Sequence, residues 1–175
     1  MNRSAKSIVL IGMMGAGKTS AGQRLQQRTG LPLVDTDEIV TAELGMSVPE
    51  IFAKFGEEKF REAETAVLRG LSPDRQSIIV TGGGIVLREA NVDLLKRLGI
   101  VVWLDAGEET MFERATRNRN RPLLETKNPR EAFSRILEAR RSLYSKIADV
   151  RIDTAWLTEE EVAKKILQKA SGENK

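Results

Sequence analysis

The sequence has no cysteine and no histidine. Without cysteine, disulfides and thiol chemistry are excluded, and a reducing compartment is permitted. Without histidine, the commonest general base and metal ligand is missing, so any proton transfer falls to a carboxylate or a lysine. Aromatic residues make up only 5% of the chain, and no apolar run reaches the ~20 residues that cross a bilayer. Thiol enzymes, histidine-based catalysis and membrane spans are therefore excluded.

The sequence also has only a small excess of one sign of charge. The 175 residues carry 28 Lys and Arg against 25 Asp and Glu, a net charge of +3, and the two signs alternate along most of the chain. A polynucleotide track usually needs a clustered basic face, so this mild excess favours a small anionic ligand. The length predicts a single domain over residues 1–175. Because the N-terminal apolar run is short and broken by glycine, we expect a cytoplasmic protein and not a secreted one.

Short apolar runs alternate with amphipathic segments. The runs predict strands over 7–11, 31–34, 78–80, 100–104 and 150–153, and the segments between them predict helices over 18–28, 37–44, 48–70 with an interruption near Gly56, 91–98, 108–116, 129–144 and after Thr158. Strands buried on both faces and alternating with helices are typical of parallel sheets. The sequence therefore predicts an α/β fold, a three-layer α/β/α sandwich with a five-stranded parallel sheet.

Residues 12–19 read GMMGAGKT and match the pattern G-x-x-x-x-G-K-[ST] between a strand and a helix. Glycines let successive backbone N–H groups face phosphate oxygens, and the helix N-terminus adds positive charge. The pattern predicts a site for a nucleoside triphosphate with Mg²⁺, in which the lysine reaches the phosphates and the threonine hydroxyl coordinates the ion. A chance glycine-rich turn is the alternative. The predicted nucleotide-binding residues here are Gly15, Ala16, Gly17, Lys18, Thr19 and Ser20.

Acidic side chains follow the second predicted strand at Asp35 and Asp37. In extended backbone, positions i and i+2 project to one side, so both carboxylates can face a ligand at the carboxyl edge of the sheet. Asp35 can join the water shell of Mg²⁺, and Asp37 can accept a proton from an attacking hydroxyl. The alternative is that either residue caps the following helix.

Glycines 82–84 follow the third strand, where backbone without Cβ atoms can approach a ligand closely. A plain flexible turn is the alternative. Arg61 lies among four acidic residues in EEKFREAE. It is either a solvated helix charge with i, i+4 partners or a fork that binds a carboxylate.

Arginines are concentrated in an irregular stretch from 117 to 128, at positions 117, 119 and 121. A long polar loop of this kind can close over a transferring phosphoryl group, supply positive charge and exclude water, so we expect a mobile lid over about 116–128. Arg140 and Arg141 follow on the next helix, and helical spacing lets only one of them face the site. A solvated basic face is the alternative for all of these arginines.

Together, these motifs resemble those of the shikimate kinases. GMMGAGKTS at 12–20, DTD at 35–37, FRE at 60–62, GGG at 82–84, RPLL at 121–124 and RRSLY at 140–144 stand in the order and spacing of that family. The resemblance covers the chain from about residue 8 to 153 and beyond. It implies a P-loop kinase of the nucleoside-monophosphate-kinase-like fold. The implied reaction moves the γ-phosphate of ATP to the 3-hydroxyl of shikimate, on the route to chorismate and the aromatic amino acids.

The resemblance also implies roles for individual residues. Lys18, Asp37 and Arg121 would be catalytic, and Thr19 with Asp35 would serve Mg²⁺. Arg114 would stack on adenine and Arg121 would contact ATP phosphate. The predicted acceptor-binding residues are Asp37, Arg61, Gly82, Gly83, Gly84 and Arg140. The implied partners are ATP and shikimate, with no nucleic acid and no membrane, and we expect a monomer.

One segment departs from the family pattern. Trp156 and Leu157 occupy a turn that is more polar in many members, which puts the adenine contacts in question. Rival interpretations are a gluconate-type or nucleotide kinase, a non-catalytic ATP-binding regulator and a nucleic-acid-associated ATPase. A gluconate-type or nucleotide kinase would give no reason for the Arg61 and Arg140 pair. A non-catalytic regulator would give no reason for intact Lys18 and Asp37. A nucleic-acid-associated ATPase would need aromatic residues and a basic stripe, which the sequence lacks. A GTPase is disfavoured because the sequence has no N-K-x-D motif.

Overall fold

A computed structural model describes residues 6–117 and 121–172 of the chain. Five parallel strands form one sheet in the order β2-β3-β1-β4-β5. The strands are β1 Ser7–Ile11, β2 Leu33–Asp35, β3 Ile78–Val80, β4 Gly99–Asp105 and β5 Val150–Asp153. The helices are α1 Lys18–Thr29, α2 Thr36–Leu44, α3 Val48–Gly70, α4 Glu89–Leu98, α5 Glu108–Thr116, α6 Pro129–Ile147 and α7 Glu159–Ala170. This sheet, flanked by helices, confirms the predicted fold class.

The centre of the sheet is β1, which lies between β3 and β4. Ile8 pairs with Ile78 on one side and with Ile100 on the other, and every residue of β1 is buried. Continuous apolar sequence suits a strand covered on both faces, because neither side of the pleat meets water. Since all five strands run in the same direction, their carboxyl ends meet at one edge, where β1 leads into the 12–19 loop and β3 leads into the glycine triplet.

A second cluster of buried side chains joins α2 to α3. Val40, Ile51, Phe60 and Val67 form its centre, apart from the main core around the sheet. Gly56 interrupts α3 with φ 80° and ψ 170°, which confirms the predicted break. This cluster fixes the part of α3 that carries Arg61.

Several element boundaries differ from the predicted ones. β2 begins at Leu33, where its pairing with Ile78 begins, and Asp35 is its last residue and also the N-cap of α2. α6 extends three residues beyond Tyr144, because Tyr144 and Ile147 are both buried on its inner face. Two 3₁₀ turns, Ile85–Leu87 and Pro122–Leu124, were not predicted. The last helix begins after Thr158 as predicted, and Thr158 forms a capping box with Glu161.

Among the residues that the structure describes, no helix is both long and apolar enough to cross a membrane. Positions 118–120 of the predicted lid, Arg119 among them, lie outside the described residues.

Candidate active site

The loop from residue 12 to residue 19 joins β1 to α1 in a conformation that only glycine adopts easily. Gly15 and Gly17 have φ of 81° and 93°, in the left-handed region. A Cβ atom at Gly15 would lie 2.1 Å from the carbonyl oxygen of Met111, and one at Gly12 would lie 2.2 Å from that of Leu104. The glycines are thus required both by the turn and by close packing against β4 and α5.

Lys18 turns its ammonium group back onto this loop. Its Nζ donates hydrogen bonds to the carbonyl oxygens of Gly12 (2.8 Å) and Met13 (3.1 Å). The residue as a whole is half-buried, yet the inward position of the ammonium lowers the pKa of Lys18 to about 8, first through burial and then through the charge of Arg121. A nearby polyanion would restore the charged form, so the lysine is prepared for phosphate.

A cleft of about 590 Å³ opens in front of the loop. It is lined by all of the predicted nucleotide-binding residues, by both aspartates and by residues that follow β3 and β5. Its lining includes Gly15, Ala16, Gly17, Lys18, Thr19, Ser20, Asp35, Asp37, Gly82, Gly83, Arg114, Arg117, Arg121, Thr154 and Leu157. Thr19 is exposed to this cleft, which leaves its hydroxyl accessible to a ligand.

Asp35 caps α2. Its Oδ1 accepts hydrogen bonds from the backbone N–H groups of Asp37 (3.0 Å) and Glu38 (3.3 Å). The helix-cap alternative is therefore correct for Asp35, although its carboxylate also borders the cleft. The expectation that both aspartates share one side of an extended strand is wrong, because Asp37 already lies in the first turn of α2.

Asp37 reaches the site from the helix and carries a buried oxygen. Its Oδ1 has no hydrogen-bond partner among the described residues. Burial, and after it the charge of Asp35, raises the pKa of Asp37. A raised pKa makes a carboxylate a better proton acceptor at neutral pH.

A smaller cavity of about 100 Å³ adjoins Asp37. Apolar side chains and charged groups from six separate parts of the chain enclose it. The lining is Met14, Asp37, Val48, Phe52, Phe60, Arg61, Gly82, Gly83, Gly84, Arg121, Pro122, Leu123 and Arg140. All six residues predicted to bind the acceptor are present, and we call this space the acceptor cavity.

Arg61 is 6% exposed, so it is not a solvated helix charge. Its Nη1 donates to Glu64 Oε2 (2.6 Å) and its Nη2 to Glu57 Oε1 (2.8 Å), one turn away on either side. The interpretation of Arg61 as a solvated helix charge correctly predicted acidic partners one turn away, but it was wrong about exposure to solvent. Two carboxylates hold the guanidinium in one orientation at the wall of the acceptor cavity.

Glu64 is a residue of this site that the sequence reasoning missed. It is fully buried, and its Oε1 has no hydrogen-bond partner among the described residues. Burial raises the pKa of Glu64 to about 7, against the charge of Arg61. The sequence could have indicated Glu64, because it follows Phe60 by four positions and Arg61 by three and so lies on the same inner face of α3.

The glycine triplet is not a plain flexible turn. A Cβ at Gly82 would lie 2.7 Å from both Asp37 Oδ1 and Glu64 Oε1, and one at Gly84 would lie 2.2 Å from Arg61 Cζ. Side chains from α2 and α3 therefore press directly on this backbone. Glycine is needed here because charged groups of the acceptor cavity occupy the space of a side chain.

Arg140 and Arg141 differ as helical spacing predicts. Arg140 is 5% exposed and lies at the acceptor cavity, whereas Arg141 is exposed. Nη1 of Arg140 would be 3.6 Å from a Cβ placed on Gly83. Arg61 and Arg140, 79 positions apart in the sequence, thus border the same cavity.

Two further arginines border the large cleft. Arg114 donates from Nη1 to Thr154 Oγ1 (3.3 Å) and from Nη2 to the Thr154 carbonyl (3.4 Å), which holds it beside the turn after β5. Arg121 borders both cavities, and its buried Nε has no hydrogen-bond partner among the described residues. In the same turn as Thr154, Leu157 borders the cleft while Trp156 is 94% exposed.

Comparison with known proteins agrees with this arrangement. The family model described as shikimate kinase matches residues 14–171. The chain is 46% identical to the shikimate kinase of Thermodesulfovibrio yellowstonii, over 93% of this chain and 94% of that one, and 42% identical to that of Symbiobacterium thermophilum, over 93% and 95%. The solved shikimate kinase of Acinetobacter baumannii in complex with shikimate superimposes with a TM-score of 0.91 at 37% identity, covering 97% of this chain and 96% of that one.

The match spans most of the chain in sequence and in structure, and residues 14–171 include all of the residues that line the two cavities. The chain belongs to the shikimate kinase family.

Proposed function

We propose that this protein transfers the γ-phosphate of ATP to the 3-hydroxyl of shikimate, giving shikimate 3-phosphate and ADP. One observation carries the proposal: a phosphate-binding loop opens onto a small cavity lined by two buried arginines and by Asp37, which has a buried carboxylate oxygen. A small polyhydroxylated acid needs a guanidinium site for its carboxylate and an acceptor for its hydroxyl protons, and the cavity supplies both.

On the donor side, the backbone of residues 15–20 binds the phosphates, and Lys18 exchanges its two carbonyl contacts for phosphate oxygens. Arg121 borders both cavities, so it can contact the phosphoryl group as it moves between them. Arg114, held by Thr154, lies where it can stack on the nucleotide base. These roles follow from position and from the family resemblance.

On the acceptor side, Arg61 and Arg140 bind the carboxylate of shikimate. Glu57 and Glu64 hold Arg61 before substrate arrives, so less conformational entropy is lost on binding. Gly83 brings its backbone to the same ligand without a side chain. The acceptor hydroxyl then lies beside Asp37, which faces the phosphates across the boundary of the two cavities.

In the transfer, the hydroxyl oxygen forms a bond to the γ-phosphorus while the bond from that phosphorus to the bridging oxygen of ADP breaks. The hydroxyl proton passes to the Asp37 carboxylate, whose raised pKa favours its acceptance. Lys18 and Arg121 stabilise the negative charge on the migrating group. No histidine is required, because positioning and charge do most of the work in this reaction.

The residues at the cleft fit Mg²⁺. The exposed hydroxyl of Thr19 and the carboxylate of Asp35 are hard oxygen ligands, and the described residues contain no cluster of three or more His, Cys, Asp or Glu. Mg²⁺ usually takes one or two protein ligands and completes its shell with water and phosphate oxygens. We propose that Thr19 and Asp35 hold the ion, which when bound neutralises phosphate charge.

We further propose a monomeric, cytoplasmic enzyme consisting of one kinase domain over residues 1–175, with residues 116–128 as a lid that excludes water. In the described part of that segment, Leu124 is buried and Pro122 and Leu123 border the acceptor cavity. A lid anchored at the acceptor site couples closure to acceptor binding.

The test is ADP release from MgATP in a coupled assay, with shikimate, gluconate, AMP or no acceptor. We expect release with shikimate alone. Release with gluconate or AMP in its place would retain a P-loop kinase and overturn the acceptor, and the absence of release with any of them would favour a non-catalytic ATP-binding protein.

A further inference from the structure

Tyr144 is the last residue of the RRSLY segment and has no role in the reaction described above. It follows Arg140 by four positions on α6, so the two side chains lie on the same face of the helix. Tyr144 is fully buried, and its ring stacks on that of Trp103 in β4, with centroids 5.9 Å apart and an angle of 28° between the planes. Packing against the sheet therefore fixes the position of the ring.

The hydroxyl of this ring lies between two groups of the acceptor cavity. It donates a hydrogen bond to the carbonyl oxygen of Gly83, the middle glycine of the triplet. Burial raises the pKa of Tyr144 to about 12, although the positive charge of the nearby Arg140 guanidinium acts to lower it. The phenol consequently keeps its proton throughout the working pH range and can always donate to Gly83.

We propose that Tyr144 is a positioning residue for the acceptor carboxylate: its hydroxyl holds the Gly83 backbone beside the Arg140 guanidinium, so that this half of the carboxylate site is formed before the substrate binds. The inference rests on the proposed function, because it concerns the carboxylate of the same acceptor.

The physical reason lies in the freedom of an arginine side chain. A guanidinium on a flexible stem loses conformational entropy when a ligand fixes it, and that loss weakens binding. Glu57 and Glu64 fix Arg61 in advance. No ion pair of Arg140 with a carboxylate is found within the described residues. Its Nη1 would lie 3.6 Å from a Cβ placed on Gly83, the residue whose carbonyl oxygen accepts the hydrogen bond from Tyr144. Carboxylates therefore orient Arg61, and the Gly83 backbone held by Tyr144 orients Arg140, before the substrate binds.

The test is Tyr144→Phe, which keeps the ring and its stacking on Trp103 and removes only the hydroxyl. We expect the KM for shikimate to rise about tenfold, as for a buried carbonyl that loses its hydrogen-bond donor, with the KM for ATP changed less than twofold. With shikimate methyl ester, which has no carboxylate, Tyr144→Phe should change kcat/KM less than twofold. A merely structural role would not distinguish the acid from its ester.

Two control variants separate the hydroxyl from general stability. Ser7→Ala removes another buried hydroxyl, one that bonds Ser77 at the opposite end of the sheet, and should leave both KM values unchanged. Trp103→Phe loosens the stack that fixes the ring but keeps the hydroxyl, so it should lower Tm and raise the KM for shikimate less than Tyr144→Phe does. The proposal is overturned if Tyr144→Phe leaves the KM for shikimate within twofold, if acid and ester suffer equally, or if Ser7→Ala reproduces its kinetic effect.

A measurement on the wild type needs no variant to fold. Side-chain NMR of Arg140 in the substrate-free protein should show a single Nε–H signal that exchanges slowly with water, and a signal that sharpens only when shikimate is added would overturn the proposal. Absence of shikimate-dependent ADP release would contradict the proposed function. The NMR result does not depend on turnover, so whether the Arg140 side chain is ordered in the substrate-free protein would still decide the role of Tyr144.

Discussion

A single methyl group at Gly84 should disable the acceptor site while leaving the fold intact. Gly84 has φ −94° and ψ 2°, a conformation that most residues adopt in turns, so alanine brings little backbone strain. Its Cβ would lie 2.2 Å from Cζ of Arg61 and 2.3 and 2.4 Å from the two terminal nitrogens. Because non-bonded atoms settle at about 3.5 Å, the guanidinium must move by roughly 1.3 Å.

The displacement affects binding more than stability. Arg61 is the end of a flexible side chain and can yield, but its 2.6 Å contact with Glu64 and its 2.8 Å contact with Glu57 would lengthen beyond hydrogen-bonding range. We expect the free energy of unfolding to fall by about 1–2 kcal/mol. A misplacement of about 1 Å costs on the order of 10²-fold in rate, so kcat/KM for shikimate should fall about 100-fold, or about 2.7 kcal/mol.

The assay is coupled ADP release at varied shikimate and varied ATP, with Tm measured on the same samples. Gly70→Ala is the matched control, because Gly70 lies on the same helix as Arg61 and a Cβ there would meet no atom within 4 Å. That variant should behave as wild type. A Gly84→Ala enzyme whose KM for shikimate stays within twofold, or whose KM for ATP rises in parallel, would refute the role given to Arg61.

Three further predictions concern the charged groups. Arg140→Ala should raise the KM for shikimate more than tenfold with the KM for ATP nearly unchanged, since half of the carboxylate site is lost; equal effects on both substrates in steady-state kinetics would count against it. Asp37→Asn should lower kcat by roughly 10²–10⁴-fold and leave the Kd for ATP within threefold by calorimetry, whereas an active variant would leave Asp37 with a structural role only. The pKa of Lys18 is lowered to about 8, so the free protein loses this proton above pH 8 and phosphate binding restores it. ATP affinity should therefore decline as pH rises through 8, with proton uptake visible by calorimetry in buffers of different ionisation enthalpy, and pH-independent binding between 7 and 9.5 would contradict this.

Much of the fold followed from local sequence. The alternation of short apolar runs with amphipathic segments located all five strands, because strands covered on both faces must be apolar along their whole length. The boundaries were less accurate where pairing or capping decides them. Pairing with Ile78 sets the start of β2, and Asp35 ends that strand because its side chain caps α2.

The phosphate loop was the part of the site most open to sequence reasoning. Its eight residues are contiguous, and the spacing of glycines, lysine and threonine already fixes how the backbone turns and where the helix begins. The resemblance to the shikimate kinases supplied the acceptor residues by position. It did not supply the reason for the glycine triplet, whose limits are set by side chains of α2 and α3 that press on it.

The sequence by itself determined the sheet, the phosphate loop and the family. Only the tertiary structure decided that Arg61 is buried rather than solvated, that Glu64 lies buried against Arg61, and that the Tyr144 hydroxyl binds the Gly83 carbonyl. The difference is one of distance along the chain. Local patterns govern hydrogen bonding within an element, whereas burial and charge balance depend on contacts such as that between residues 83 and 144, which exist only once the helices have packed on the sheet.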